Sequence, residues 1–294
     1  MRFEPGVKLA LVQSDVYQAY IDMANAGNPD AGTAIRPLRL IMPLYDEEIH
    51  FVVRADSPLK NINEIKDKVI SVGLIGSGTA QSATTLYRLM FNQTIPEQNT
   101  VHLSNEDALA ALIVKKIDVA VVVAGQPAKL FTEMNPDLLS QIRVLSVDPN
   151  APETARAKQT YFPAVLRQSS YPNWLKEDIP TWTIKAFLVT YDYGLRDTVG
   201  TLNRFADSLC ENFDILQEKG HPKWKQVKLE LPALSKGWQY YPPIERHLRA
   251  CIAHRASMQA TGAGAAPSAD QPAAPKVNKR PCSDQERLLL LCGK

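Results

Sequence analysis

Residues 69–91, VISVGLIGSGTAQSATTLYRLMF, decide how this chain is read. A short apolar run from Val69 to Ile75 enters Gly76-Ser77-Gly78-Thr79. Helical spacing follows at once, with Ala83, Leu86, Tyr87 and Met90 on one face. This order predicts a strand, a tight glycine turn and a helix start. Glycine lets backbone approach a ligand because no Cβ intervenes. The first helical turn presents unpaired N–H groups and partial positive charge, and Ser77 and Thr79 add hydroxyls. Such a cradle suits an anion such as a carboxylate. The same turn also serves α/β proteins as a plain connection. It is neither a P-loop, since no Gly-Lys-Ser/Thr follows at the needed spacing, nor the full dinucleotide fingerprint.

Outward from that stretch, the rest of the chain reads as α/β. A strand over 7–13 ends in Gln13, and Ser14 opens a helix that closes at Gly27. Gln13 and Ser14 therefore stand at the C-terminal end of a strand, the edge where open α/β sheets bind ligands. Each also has a plain structural reading, as a satisfied amide and a helix cap. Residues 28–34 read as a polar loop. Two strands follow, 35–44 and 48–54, joined by Tyr45-Asp46-Glu47. His50 lies in the second of them, where it serves either as a half-buried core residue or as a ligand contact. Glu47 and Glu48, being adjacent, point to opposite faces and make no catalytic pair.

Ser104-Asn-Glu-Asp107 is a capping-box pattern that opens the next helix. Residues 117–124, IDVAVVVA, have the continuous β-branched character of a strand buried on both faces. They end in Gly125-Gln126-Pro127, a second strand-to-helix turn on the same predicted sheet edge. A strand over 142–147, a polar loop over 148–158, a strand over 182–190, a long helix over 196–216 and a last helical segment over 238–253 complete the pattern. From 255 to 279 the composition turns to Ala, Pro, Gly, Ser and Gln, the mark of a flexible tail.

Composition sets the outer limits. The 294 residues suffice for two lobes, and 45% are apolar. A net charge of +2 points away from nucleic-acid binding, and no apolar run reaches membrane-spanning length. The four cysteines, Cys210, Cys251, Cys282 and Cys292, form no CxxC pair. Three states stay open: a Cys282–Cys292 loop, a Cys210–Cys251 pairing, or free thiols. No signal peptide is visible at the N-terminus, which read literally implies the cytoplasm. The sequence offers no catalytic constellation, metal-ligand spacing or cofactor motif.

Five stretches together resemble one known family: LALVQSDV (9–16), LYDEEIHFVVR (44–54), the segment ending IKDKVISVGLIGSGT (62–79), DALAALIVKKIDVAVVVAGQP (107–127) and TWTIKAFLVTYDYG (181–194). They are similar, in order and spacing, to the TAXI group of solute-binding proteins, the extracytoplasmic receptors of TRAP transporters. The resemblance covers about residues 7–250. It implies a type II periplasmic-binding-protein clamshell, with residues 1–49 and 191–253 in the first lobe, 50–190 in the second and 254–294 as a tail. It implies a small carboxylate ligand, such as glutamate, glutamine or an organic acid, handed to the membrane permease subunits. No catalysis, cofactor or nucleic acid is involved, and the receptor is expected to be a monomer in the periplasm. Its pocket would correspond to Gln13, Ser14, Gly76, Ser77, Gly78, Thr79, Gly125, Gln126 and Pro127, with Tyr45 and His50.

The chain also departs from that family. The signal peptide and a glycine-rich first strand are missing, so the first lobe is expected to be truncated. Asp46 stands where the family has proline, and Tyr241-Pro242-Pro243 replaces its His-Pro-Gly-Ala segment. Two other functions compete with transport: a sensory module of the same fold that feeds a signalling partner, and an enzyme on the same scaffold.

Overall fold

A computed structural model describes residues 6–158 and 160–262, with side chains to residue 258. Cys282, Cys292 and the Ala/Pro-rich stretch beyond 262 lie outside the described residues; residues 255–262, expected to begin a flexible tail, instead continue the helix Pro242–Gly262. Two units separate, Met1–Ala253 and His254–Lys294, and the architecture below belongs to the first.

Eight strands form one mixed sheet: β1 (Ala10–Gln13), β2 (Leu38–Arg54), β3 (Ile70–Ser71), β4 (Thr100–Val101), β5 (Val119–Ala124), β6 (Ile142–Val144), β7 (Phe162–Leu166) and β8 (Ile179–Tyr191). The order is β1-β8-β2-β5-β3-β4, with β6 also on β2 and β7 also on β8. β5, β3 and β4 run parallel, and the remaining pairings are antiparallel. The helices are α1 (Ser14–Asn25), α2 (Pro29–Ile35), α3 (Gly78–Phe91), α4 (Asn105–Ile113), α5 (Lys129–Thr132), α6 (Pro136–Leu139), α7 (Pro152–Ala157), α8 (Arg196–Glu211), α9 (Phe213–Lys219) and α10 (Pro242–Gly262). The chain is thus α/β, as its pattern implies.

Most elements sit where the hydrophobic period puts them, and the differences have local causes. Residues 28–34 are a helix, not a loop. Asn28 accepts a hydrogen bond from the Ala31 amide at 3.0 Å, and Pro29 occupies the first helical position, where its missing N–H costs nothing. Pro152 likewise takes the first position of α7, there without a side-chain cap, inside a stretch expected to be irregular. The two strands expected around Tyr45-Asp46-Glu47 are a single 17-residue strand, β2. It absorbs the polar turn-like residues through register shifts against β8, between Leu40 and Met42 and between Pro43 and Asp46. The long helix over 196–216 breaks at Asn212 into α8 and α9. β7 had no clear sequence signal, because its pattern is interrupted by Pro163 and mostly exposed.

The second register shift coincides with a change of core. Ile49, Phe51 and Val53 of β2 and Trp182 and Ile184 of β8 pack into one apolar cluster with Leu86, Tyr87 and Met90 of α3. Val52 faces a second cluster on the opposite side of the sheet with Phe131 and Tyr171. Towards the other end, Met42, Leu44 and Ala186 pack with α8 and α10, and Leu40, Phe187 and Val189 pack with α1 and α2. β2 and β8 therefore each contribute to both pairs of clusters.

Candidate functional site

Gln13, the last residue of β1, meets the glycine turn. Its side-chain Nε2 donates to Glu47 Oε2 at 2.8 Å, and its Oε1 accepts from the Ser82 hydroxyl of α3 at 3.2 Å. One amide thus links β1, β2 and α3. The Gln13 amide lies directly against Gly78: a Cβ there would come within 2.3 Å of Gln13 Oε1 and would displace that amide. Gly76 adopts φ +77, in the left-handed region that favours glycine. Ser77 caps α3 by accepting from the Ala80 amide at 3.1 Å. Gln13, Glu47, Gly76 and Gly78 line an open cavity of about 330 Å³, with Val12, Val16 and Ala186 as its apolar wall. The β1 end and the glycine turn therefore meet at one cleft.

The second turn sits elsewhere. Gly125 and Tyr45 line a different cavity of about 320 Å³, beside Lys223 and His221. A Cβ on Gly125 would lie 2.8 Å from Lys223 Cε, so glycine there makes way for a buried lysine stem. Lys223 is 1% exposed. Its ammonium donates to both Glu48 oxygens, Oε1 at 2.6 Å and Oε2 at 2.9 Å, to the Asp46 carbonyl at 2.6 Å and to Gln226 Oε1 at 3.0 Å. Gln126 is buried and fully engaged. Its amide N–H donates to Glu48 Oε2 at 2.8 Å, its Nε2 donates to the Val165 carbonyl, and its Oε1 accepts from the Arg167 amide. Pro127 follows through a cis peptide bond. Gln126 thus holds the corner to β7, its side-chain amide turned to Val165 and Arg167.

His50 is wholly buried. Its Nε2 lies 2.9 Å from the Tyr171 hydroxyl and its Nδ1 3.3 Å from the Val122 carbonyl, while Phe131 packs on the ring at 5.2 Å. Burial holds its pKa down to about 4, so the ring is neutral at neutral pH. The ligand-contact role expected from the resemblance has no exposed atom to act through; the core alternative describes its placement. Ser14 opens α1 and faces a third and larger cavity, of about 570 Å³, with Asp15, Lys185, Phe187 and Trp238. Thr79 is half-buried in the first turn of α3, its side chain packed against Gly73.

Two carboxyls near the cleft went unmarked in the sequence. Burial pushes the Glu47 carboxyl above its ordinary value, and the Gln13 hydrogen bond and Lys223 pull the other way. Burial likewise raises Asp15. The Tyr161 hydroxyl lies 2.8 Å from Asp15 Oδ2 and 2.9 Å from the Ser82 carbonyl. A phenol has one proton for these two acceptors. The Tyr161 hydroxyl is therefore shared between the Asp15 carboxylate and the Ser82 carbonyl. Adjacency had ruled Glu47 and Glu48 out as a catalytic pair, and it hid their separate uses: Glu47 faces the cleft, Glu48 the buried lysine. Only the tertiary partners, Gln13 and Lys223, distinguish them.

Among the described residues no group of three or more His, Cys, Asp or Glu side chains converges as a metal centre would require. None of their helices is long and apolar enough to cross a membrane.

Sheet and cleft together define an α/β protein with a small-molecule-sized opening at its strand ends. The chain belongs to the NMT1-like family, whose model matches residues 4–238. Among solved structures it is similar to the arginine-, lysine-, histidine-binding protein ArtJ from Geobacillus stearothermophilus, at 12% identity over 67% of this chain and 65% of that one, with a TM-score of 0.38. It is also similar to a Xanthomonas citri protein solved bound to ATP, at 12% identity, 86% and 79% coverage and a TM-score of 0.41. A third is the periplasmic VFT2 domain of BvgS from Bordetella pertussis, at 12% identity, 52% and 48% coverage and a TM-score of 0.32. The chain spans slightly less than two thirds of the length of ArtJ.

Proposed function

We propose that the protein is a solute receptor, which binds a small carboxylate-bearing molecule in the Gln13–Gly78 cleft and catalyses nothing. The observation that carries this reading is the Gln13 amide, which ties the β1 end to the glycine turn across an open cavity. The amides of Gly78 and Thr79, at the start of a 14-residue helix, suit the guest's carboxylate. In this reading the two pairs of apolar clusters are the cores of two lobes joined by β2 and β8, as in a type II periplasmic-binding-protein clamshell.

The finer assignment is an extracytoplasmic receptor of the TAXI type, handing its ligand to TRAP permease subunits as a monomer. The five sequence stretches support it. So does the disulfide between Cys210 and Cys251, whose Cα atoms are 6.3 Å apart, since such bonds persist in oxidising compartments.

A thermal-denaturation screen against the L-amino acids and small organic acids tests the function. A ligand that binds only the folded state raises the melting temperature with concentration, by about 2.7 kcal/mol of stability at a hundred times its Kd. Failure of every compound to shift the transition would overturn the receptor reading.

A further inference from the structure

We infer that Asp15 is a proton switch on the Gln13–Gly78 cleft: a protonated carboxyl holds α1 against α3 and keeps the cleft narrow, and an ionised one lets the two helices part. The inference concerns access to the cleft that the receptor reading uses. Its test needs no ligand, so the two stand or fall separately.

The cleft runs between these helices. Val16 of α1 and Gly78 of α3 both line it, so parting the helices widens it. Their apolar stripes go to different places. Tyr17 and Ile21 of α1 pack with Leu40 and Phe187, whereas Ala83, Leu86 and Tyr87 of α3 pack with Ile49 and Phe51. The N-terminal ends of the two helices are joined by a polar seam. The Ser82 hydroxyl donates to Gln13 Oε1, and the Tyr161 hydroxyl stands between Asp15 Oδ2 and the Ser82 carbonyl. Asp15, Ser82 and Tyr161 are all buried, at 4%, 0% and 1% exposure.

Asp15 is the costly member of that seam. Among the described residues it makes no ion pair. Its partners are neutral: the Val16 amide on Oδ1 at 2.8 Å, Tyr161 on Oδ2, and the Ser82 hydroxyl. The charged groups around it do not compensate. Glu47 of β2 repels it. Lys185 of β8, Lys228 and Glu230 line the larger cavity on its other side, and Lys185 is paired with Asp46. Arg88 of α3 acts on Tyr161. An anion so placed is unfavourable unless water reaches it, and parting the helices admits water. A protonated carboxyl is neutral and adds a donor, so that Asp15 donates to Tyr161 and Tyr161 to the Ser82 carbonyl. Burial accordingly holds Asp15 above its ordinary value of 3.8 while the seam is closed. Parting returns it towards that value. Closing therefore takes up a proton, and the closed form gains as pH falls from the raised value to the ordinary one.

Pulsed electron resonance between spin labels on Asn25→Cys and Gln93→Cys reads the separation directly, since both positions are exposed and lie at the far ends of α1 and α3. The full chain carries Cys282→Ser and Cys292→Ser so that only these sites are labelled. From about pH 8 to about pH 4, the ratio of short to long distances should rise about tenfold for each pH unit between the ordinary and closed-state Asp15 values, and level off outside them. Asp15→Asn, neutral throughout and able to donate to Tyr161, should stay closed with a flat profile. Glu47→Gln, which removes the other raised carboxyl at the cleft, should keep the response. A separation that ignores pH, or grows as pH falls, would overturn the inference. So would a response that persists in Asp15→Asn or disappears in Glu47→Gln. The labelled chain with Asp15 intact decides the first point alone, so a misfolded Asp15→Asn variant does not protect the idea.

Discussion

At the scale of single residues, the most consequential contact is one that no local pattern announces. Lys223 and Glu48 are 175 positions apart and meet with almost no solvent between them. Removing one partner strands a buried charge, so Lys223→Met should cost about 3–5 kcal/mol. Lys223→Met with Glu48→Gln should recover much of that, because glutamine still accepts from the Gln126 amide. Urea denaturation of both variants measures the difference. His50 offers a second test. Its folded-state pKa of about 4 lies below the ordinary 6.5, so the unfolded chain takes up the proton first as pH falls. Its contribution is complete above 6.5 and is lost as pH drops towards about 4, amounting to on the order of 3 kcal/mol. Asp15 and Glu47, with raised values, act in the opposite sense. The comparison is therefore the pH slope of stability in wild type against His50→Gln, with the steeper acid loss expected in wild type. That Gln13 ends a strand and that the glycines make a turn was readable in the sequence, because strand ends and glycine turns are local. It left Glu47 and Lys223 dark because their meaning lies in partners far along the chain.

Among the elements, long amphipathic helices and apolar strands announced themselves: α3, α4, β5 and β8 stand close to their expected places. Short elements did not. α2 and α7 each begin with a proline, which reads as a loop breaker until the preceding residue is recognised as the cap position. β2 looked like two strands because its polar middle has turn residues, yet the register shifts let the strand carry on. The covalent tie between α8 and α10 had been one of three open states. Closing a loop of 41 residues, it should stabilise the fold by about 2–4 kcal/mol. Reduction with a thiol, or a Cys210→Ser/Cys251→Ser variant, should lower the urea midpoint accordingly without altering the cleft, because neither cysteine approaches Gln13 or Gly78.

Over the whole molecule, the α/β class was legible from periodicity alone, and the placement of the glycine turn at a cleft followed from strand order. The pairing of the two turns did not follow. Neighbouring strand ends open onto different cavities here, since the Gly125 corner is occupied by Lys223 and Gln126 is spent on β7. Adjacency in a sheet fixes which edge a turn lies on; which hollow it faces depends on side chains arriving from elsewhere, and those were beyond any local reading.

Among the described strands, β2 and β8 alone reach both pairs of apolar clusters, and they change cluster beside the register shift at Pro43 and Asp46. In the receptor reading proposed above, this two-stranded ribbon is the leaf spring between two lobes. Polar links also span the bend: Gln13 to Ser82, Asp15 to Tyr161, and Lys223 to Glu48. In that reading they are the catches any opening must release, and a single carboxyl holds one of them.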